Sequence, residues 1–210
     1  MANFIQKFVN QSAYEAAEHD YPNTSLVGND IVFAMAAPPA FGGLTVKYNV
    51  TQYEAQQEVS LFNGGGASSG SSESESESGG GGALPSTMIV DGNTETPINT
   101  WRFETAGEHI VQYTFEDNTV PQSFIDGNIG AATEVIVGTD ITSIGSGAFN
   151  KGLTSATCLS TTPPTIEDSS TFGGGGSQNY PIYVPSESVN TYKTASVYWE
   201  DFVSRIEAIQ

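Results

Sequence analysis

Two histidines, one cysteine and a large excess of carboxylates are the groups in this chain from which conventional site chemistry would have to be built. His19 and His109 are far apart in sequence, and neither stands at metal-ligand spacing from the other or from Cys158, so no structural or catalytic metal is expected. His19 falls at the end of an expected short helix, where a cation is mildly favourable. His109 follows a turn and reads as a strand-edge residue. A Cys158 nucleophile would need a lowered pKa and a base within reach, whereas "SATCLS" reads as a buried strand in which the thiol is a small hydrophobe. Gly173 to Gly176 lack the Lys-Ser/Thr of a phosphate loop. "DNTVPQSFIDGN" contains Asp117 and Asp126 without the alternating oxygen ligands and closing Glu of a calcium hand. Sugar hydrolysis would need a carboxylate pair at inverting or retaining separation, and no motif among the 24 acidic residues nominates one. The expectation is a protein that is not an enzyme and that carries no cofactor.

The charge balance narrows the partners. Six basic residues against 24 acidic ones give a net charge of -18, a field that repels phosphate backbones and anionic headgroups. Nucleic acid and membrane are therefore not expected partners. No apolar run approaches the roughly 18 residues of a membrane span, and the first 20 residues lack a signal-peptide core. The sequons at Asn10, Asn23 and Asn49 consequently carry no expectation of glycosylation. Only 14% of residues are charged while Gly, Ser, Thr and Asn are abundant, the composition of a turn-rich β protein whose surface uses neutral polar groups.

These residues must be positioned by short elements. Ser12 and Glu15 have capping-box spacing and open a predicted helix that Pro22 stops. "SLVGNDIVFA" reads as a β-hairpin, and the cluster of Pro38, Pro39, Gly42 and Gly43 marks a boundary after it. From Leu44, "LTVKYNV" alternates with period two, and "EVSLF", "TMIVDG" and a hairpin formed by Trp101 to Glu104 and Ile110 to Phe115 continue a β module over 44–116. Inside it lies "SSGSSESESESGGGG", Ser68 to Gly82, which has nothing apolar to offset the entropy of ordering. Residues 63–82 read as a flexible, disordered loop within one module, with a tether between separate folds as the alternative. A coil of that length spans roughly 25 Å r.m.s., ample to join sheet edges. Glu73, Glu75 and Glu77 within it read as solubilising charges.

Residues 117–210 carry an irregular repeat. Phe124, Phe149 and Phe172 recur at spacings of 25 and 23 residues, each preceded by Val120, Ile144 or Ile166, with "EVIV", "SATC" and "PIYV" between them. That is the period of a solenoid whose units bury their apolar faces only by stacking. Ser186, Val189, Tyr192, Phe202, Val203 and Ile206 follow as an expected helical cap with Ser186 at its N-terminus. Trp101, Tyr180, Tyr198 and Trp199 have the side chains to stack on a glycan, but packing in the module and cap is their expected use.

"ITSIGSGAFNKGLTSATCLSTTPPTI" with "PIYVPSESVNTYKTA" resembles the BspA-type leucine-rich repeats of Bacteroidetes and their phages, and "YNVT", "MIVDG" and "TAGEHIVQYTF" resemble the small β module that precedes such repeats. The units are few, and Ser123-Phe124 stands where that family has Ala-Phe. The opening "FIQKFVNQSAYEAAEHDYPNTSLVGNDIVFA" resembles an N-terminal element of virion proteins in crAss-like and other Bacteroides phages.

Together these resemblances imply a mainly β protein: a small N-terminal helix with a hairpin, a sheet or sandwich-like module, and a short degenerate leucine-rich-repeat solenoid with a helical cap. They imply a head-fibre or capsid-decoration subunit on the virion surface. Residues 1–37 would dock on the capsid or another virion protein, with Phe4, Ile5, Phe8, Tyr14, Tyr21 and Pro22 as the docking side chains. The distal modules would be displayed for adhesion, with host-surface or mucosal glycans as ligands, and the subunit would assemble as a homo-oligomer, dimer or trimer. The alternative is a bacterial surface adhesin with the same repeats.

Overall fold

Leu44, Val46, Tyr48 and Val50 take alternate positions and are all buried, so the period-two pattern of "LTVKYNV" becomes the central strand of the main sheet. The structure is a computed structural model, and it describes residues 24–27, 30–33, 41–63, 84–125, 131–150, 152–173, 180–195 and 198–210. Chain contacts divide it into Met1–Ala40 and Phe41–Gln210. In the first unit, β1 (Thr24–Val27) and β2 (Asp30–Phe33) pair antiparallel as a hairpin. The expected helix from Ser12 lies outside the described residues.

The second unit is mainly β and distributed over several sheets. Its strands are β3 (Leu44–Val50), β4 (Val59–Ser60), β5 (Thr87–Val90), β6 (Asn93–Glu95), β7 (Thr100–Trp101) and β8 (Gly107–Thr114), followed by β9 (Thr119–Val120), β10 (Ala132–Val137), β11 (Ser143–Ile144), β12 (Ser155–Cys158), β13 (Thr165–Ile166), β14 (Ile182–Val184) and β15 (Ile206–Ala208). Eight of them form one sheet in the order β15-β14-β12-β10-β3-β8-β5-β6. β3 lies between β10 and β8, antiparallel to both, so strands from either side of residue 117 share a sheet. Strands before and after the Ser/Glu-rich run also share it, through β3, β8 and β5. The run itself lies outside the described residues.

The expected hairpin between Trp101 to Glu104 and Ile110 to Phe115 does not form. β8 already has β3 on one edge and β5 on the other, leaving no backbone donors for a third partner. Trp101 pairs instead with Val59, joining β7 to β4 in a separate two-stranded sheet. His109 is likewise no edge residue: it lies within β8 on the face of Val111 and Tyr113 and is buried.

After β8 the chain alternates between two parallel ladders. β9, β11 and β13 stack with Val120, Ile144 and Ile166 in register, while β10, β12, β14 and β15 extend the large sheet. Thr142 N donates to Asn118 O and Thr165 N to Thr142 O, both at 2.9 Å, so equivalent backbone positions bond from coil to coil. The three repeat phenylalanines are buried between the ladders. Close approach fixes where the ladder joins β3: Gly138 N donates to Gly43 O at 2.7 Å, and a Cβ on Gly138 would lie 2.2 Å from Gly42 O. The Gly42-Gly43 pair thus lies against the Gly138 turn just before β3, with Asp140 N also donating to Gly42 O at 2.9 Å.

Both ends of the ladders are covered. At the first, Phe62 stacks on Phe124 with centroids 5.0 Å apart. Tyr48 holds this segment by donating its hydroxyl to Leu61 O, and the Tyr113 hydroxyl lies 3.1 Å from that of Tyr48. Burial pushes both phenols above their usual range, so they stay neutral donors. Tyr48→Phe would leave Leu61 O and the Tyr113 hydroxyl without this partner, an expected loss of about 1–3 kcal/mol by urea unfolding. A loss below the error of the measurement would show that water replaces it.

At the second end, the expected continuous helix is broken. Ser186–Ser188 and Trp199–Arg205 are 3-10 turns, Val189–Lys193 is a single α-helical stretch, and Tyr198 has φ 83. Ser186 caps nothing through its side chain, and Ile206 begins β15 rather than continuing a helix. The open edge of β14 decides this. Strand β15 satisfies it, continuing to Ile209 N on Val184 O at 2.8 Å, whereas a helix there would leave those groups unpaired. Among the described residues no helix is long and apolar enough to cross a membrane.

Candidate functional site

A polar concavity lies beside the β5–β6 turn. β5 and β6 are joined through Asp91 (φ 48) and Gly92 (φ 86), the left-handed pair that a tight hairpin requires and that Asp-Gly adopts readily. This turn aims the Asp91 carboxylate back at β8. Its Oδ1 accepts from Ile110 N at 2.9 Å, and its Oδ2 lies 2.7 Å from His109 Nδ1. His109 Nε2 reaches Thr105 O at 2.9 Å, and Phe103 stacks on the imidazole with centroids 4.3 Å apart.

This arrangement defines what His109 can do. Both ring nitrogens are engaged within the protein, Nδ1 with the Asp91 carboxylate and Nε2 with Thr105 O. His109 therefore serves as a cross-link between the β5–β6 turn, the Thr105 loop and the core ring of Phe103. Over this floor opens a groove of about 390 Å³ whose walls include Trp101, Arg102, Glu95 and Glu104. Trp101 is half-buried, and Arg102 and Glu104 are exposed. The side chains of Arg102, Glu95 and Glu104 make no hydrogen bond or ion pair among the described residues.

The remaining sequence candidates separate cleanly. Cys158 is fully buried in β12, and desolvation pushes its thiol up to about 12 against a smaller opposing effect of the Tyr192 hydroxyl, so it packs as a hydrophobe. Asp117 accepts from Thr119 N at 3.0 Å in a local turn. Tyr180 and Trp199 are buried and Tyr198 is 37% exposed, so of the four aromatics only Trp101 lines the groove. His19, Asp126, Glu73, Glu75, Glu77 and the docking side chains Phe4, Ile5, Phe8, Tyr14, Tyr21 and Pro22 lie outside the described residues. Among those described, no three His, Cys, Asp or Glu side chains are grouped to hold a metal ion.

One polar cluster had no signal in the sequence, because its members come from successive coils. Ser146 donates its hydroxyl to Asp168, and Ser170 N donates to the same carboxylate at 2.8 Å. Glu167 accepts from Ser146 N at 3.0 Å. Desolvation pushes the Asp168 carboxyl upward, but the donors of Ser146, Ser170 and Gly147 outweigh it and hold it below the usual aspartate range. A group lowered on folding stabilises above its unfolded value, about 3.9, and the contribution is lost as pH falls through the lower folded value. Asp168→Asn is expected to flatten the acid limb of stability below about pH 4, read by urea unfolding at successive pH values. An acid limb identical to that of the parent would place the dependence elsewhere.

Compared with known proteins, the chain matches no protein-family model, and no curated protein matches it significantly.

Proposed function

We propose that the chain is a virion structural protein, a head-fibre or capsid-decoration subunit that docks through residues 1–37 and displays its larger unit for adhesion. The observation that carries this reading is the division at Ala40/Phe41 into a small N-terminal unit and a larger β unit, which parallels the sequence resemblance of the first part to phage virion elements and of the second to surface-protein repeats. The finer reading of residues 117–210 as a short, degenerate leucine-rich-repeat solenoid draws support from the alternation of β9 to β14 between two parallel ladders. Homo-oligomeric assembly follows from the same picture, because one short anchor buries little area and multivalent attachment raises avidity without new contacts.

Quantitative mass spectrometry of purified particles tests the proposal by counting this chain against the major capsid protein. A fixed, symmetry-related ratio is the expected result. Absence from particles, with recovery of the chain in host envelope fractions, would overturn it in favour of the bacterial surface adhesin.

A further inference from the structure

We propose that the groove beside Trp101 binds a neutral saccharide. The inference rests on the adhesive reading above and gives that adhesion a site and a ligand class. Three features carry it. First, Trp101 is held in β7 by pairing with Val59 and packs partly against the core, yet it still lines the groove. It offers a fixed aromatic surface rather than a mobile one, and an aromatic surface suits the C–H face of a sugar ring.

Second, the groove holds one guanidinium, Arg102, and three carboxylates, of which Asp91 is tied to His109 and Ile110 N, while the side chains of Arg102, Glu95 and Glu104 make no hydrogen bond or ion pair among the described residues. An anionic ligand would satisfy Arg102 but meet the carboxylates and the field of a chain of net charge -18. A cationic ligand would satisfy the carboxylates and meet Arg102. A hydroxyl both donates and accepts, so vicinal hydroxyls of a neutral ring can serve all three groups.

Third, the floor is rigid. Asp91 is tied to Ile110 N and His109, His109 to Thr105 O, and Phe103 is stacked beneath the ring. A site that does not reorganise on binding spends less of its contact energy on ordering. The volume of about 390 Å³ falls within the range of small-molecule sites, roughly 300–1,000 Å³.

The experiment uses the intrinsic fluorescence of the full chain. Its only other tryptophan, Trp199, is 1% exposed, so a ligand-dependent change reports Trp101. The probes are neutral oligosaccharides ending in galactose, mannose or N-acetylglucosamine, with a lysine-rich peptide as the cationic comparison. The expected result is a saturable change with at least one oligosaccharide, weakened about tenfold or more, equivalent to 1.4 kcal/mol, in Arg102→Ala and in Glu104→Gln. Both side chains are exposed, so the variants are expected to keep the parental melting temperature. No response to any oligosaccharide, a response undiminished in both variants, or a response to the peptide alone would overturn the inference. Particle adhesion to host cells is measured in parallel. Adhesion that persists without oligosaccharide binding removes the ligand class and leaves the adhesive reading, whereas oligosaccharide binding without adhesion does the reverse.

Discussion

Phe172→Ala is expected to cost about 3–5 kcal/mol and to lower the melting temperature by about 10 °C or more for a unit of this size, measured by calorimetry and urea unfolding. Phe172 is completely buried, and its ring centroid lies 5.5 Å from each of Phe149, Trp199 and Phe202. The cost depends on whether those rings can close the space. Trp199 is pinned by its Nε1 donating to Pro164 O at 2.9 Å, and Phe149 is fixed by the parallel bridge to Ile125 and by its own N on Thr171 O at 2.8 Å. With neighbours so anchored the cavity stays open, which places the substitution at the costly end of large-to-small changes. A loss below about 1 kcal/mol would show that the C-terminal segment moves inward and that the cap is softer than its hydrogen bonds imply.

Arg205→Met is expected to destabilise by about 2–4 kcal/mol, and Arg205→Lys by at least as much. Arg205 is a buried cation whose hydrogen bonds go to backbone: Nε donates to Tyr180 O and Nη1 to Phe172 O, both at 2.9 Å. Its guanidinium also lies 4.4 Å from the Tyr180 ring centroid and 5.3 Å from that of Phe202, a stacking that the planar group suits and an ammonium does not. Nη2 is buried and meets no partner among the described residues, so methionine removes one unsatisfied group while it loses two charge-assisted bonds. Lysine keeps the buried charge and cannot span both carbonyls. Thermal unfolding of the two variants beside the parent checks the order, and a lysine variant more stable than the methionine variant would show that charge, rather than fork geometry, holds the cap.

Both predictions concern the packing of the segment after Tyr180, whose path the sequence showed least. The apolar spacing of Val189, Tyr192, Phe202 and Ile206 suited a helix, and Tyr192, Phe202 and Ile206 are indeed buried. Their burial was legible because apolarity is a property of the residue, while the path was not, because it depends on an open strand edge. His109 shows the same limit. Its turn-following position was visible, and Thr105 is a local partner four residues before it, but Asp91 was brought to it by the pairing of β5 with β8. The groove was legible only in Trp101, one of four aromatics singled out; Arg102 and Glu104 are its neighbours in sequence, but Asp91 and Glu95 join them from the β5–β6 hairpin.

Sequence alone determined the mainly β character, the period-two strand from Leu44, the coil-to-coil equivalence of Val120, Ile144 and Ile166, and the inert burial of Cys158. Each rests on alternation, recurrence or side-chain polarity, which act over a few residues or repeat along the chain. Tertiary structure decided that β10 docks on β3, that β7 leaves β8 for β4, and that the chain ends in a strand. Those outcomes follow from which backbone edges are already occupied when a segment arrives. Hydrogen-bond donors and acceptors are identical at almost every residue, so the sequence of a strand does not name its neighbour.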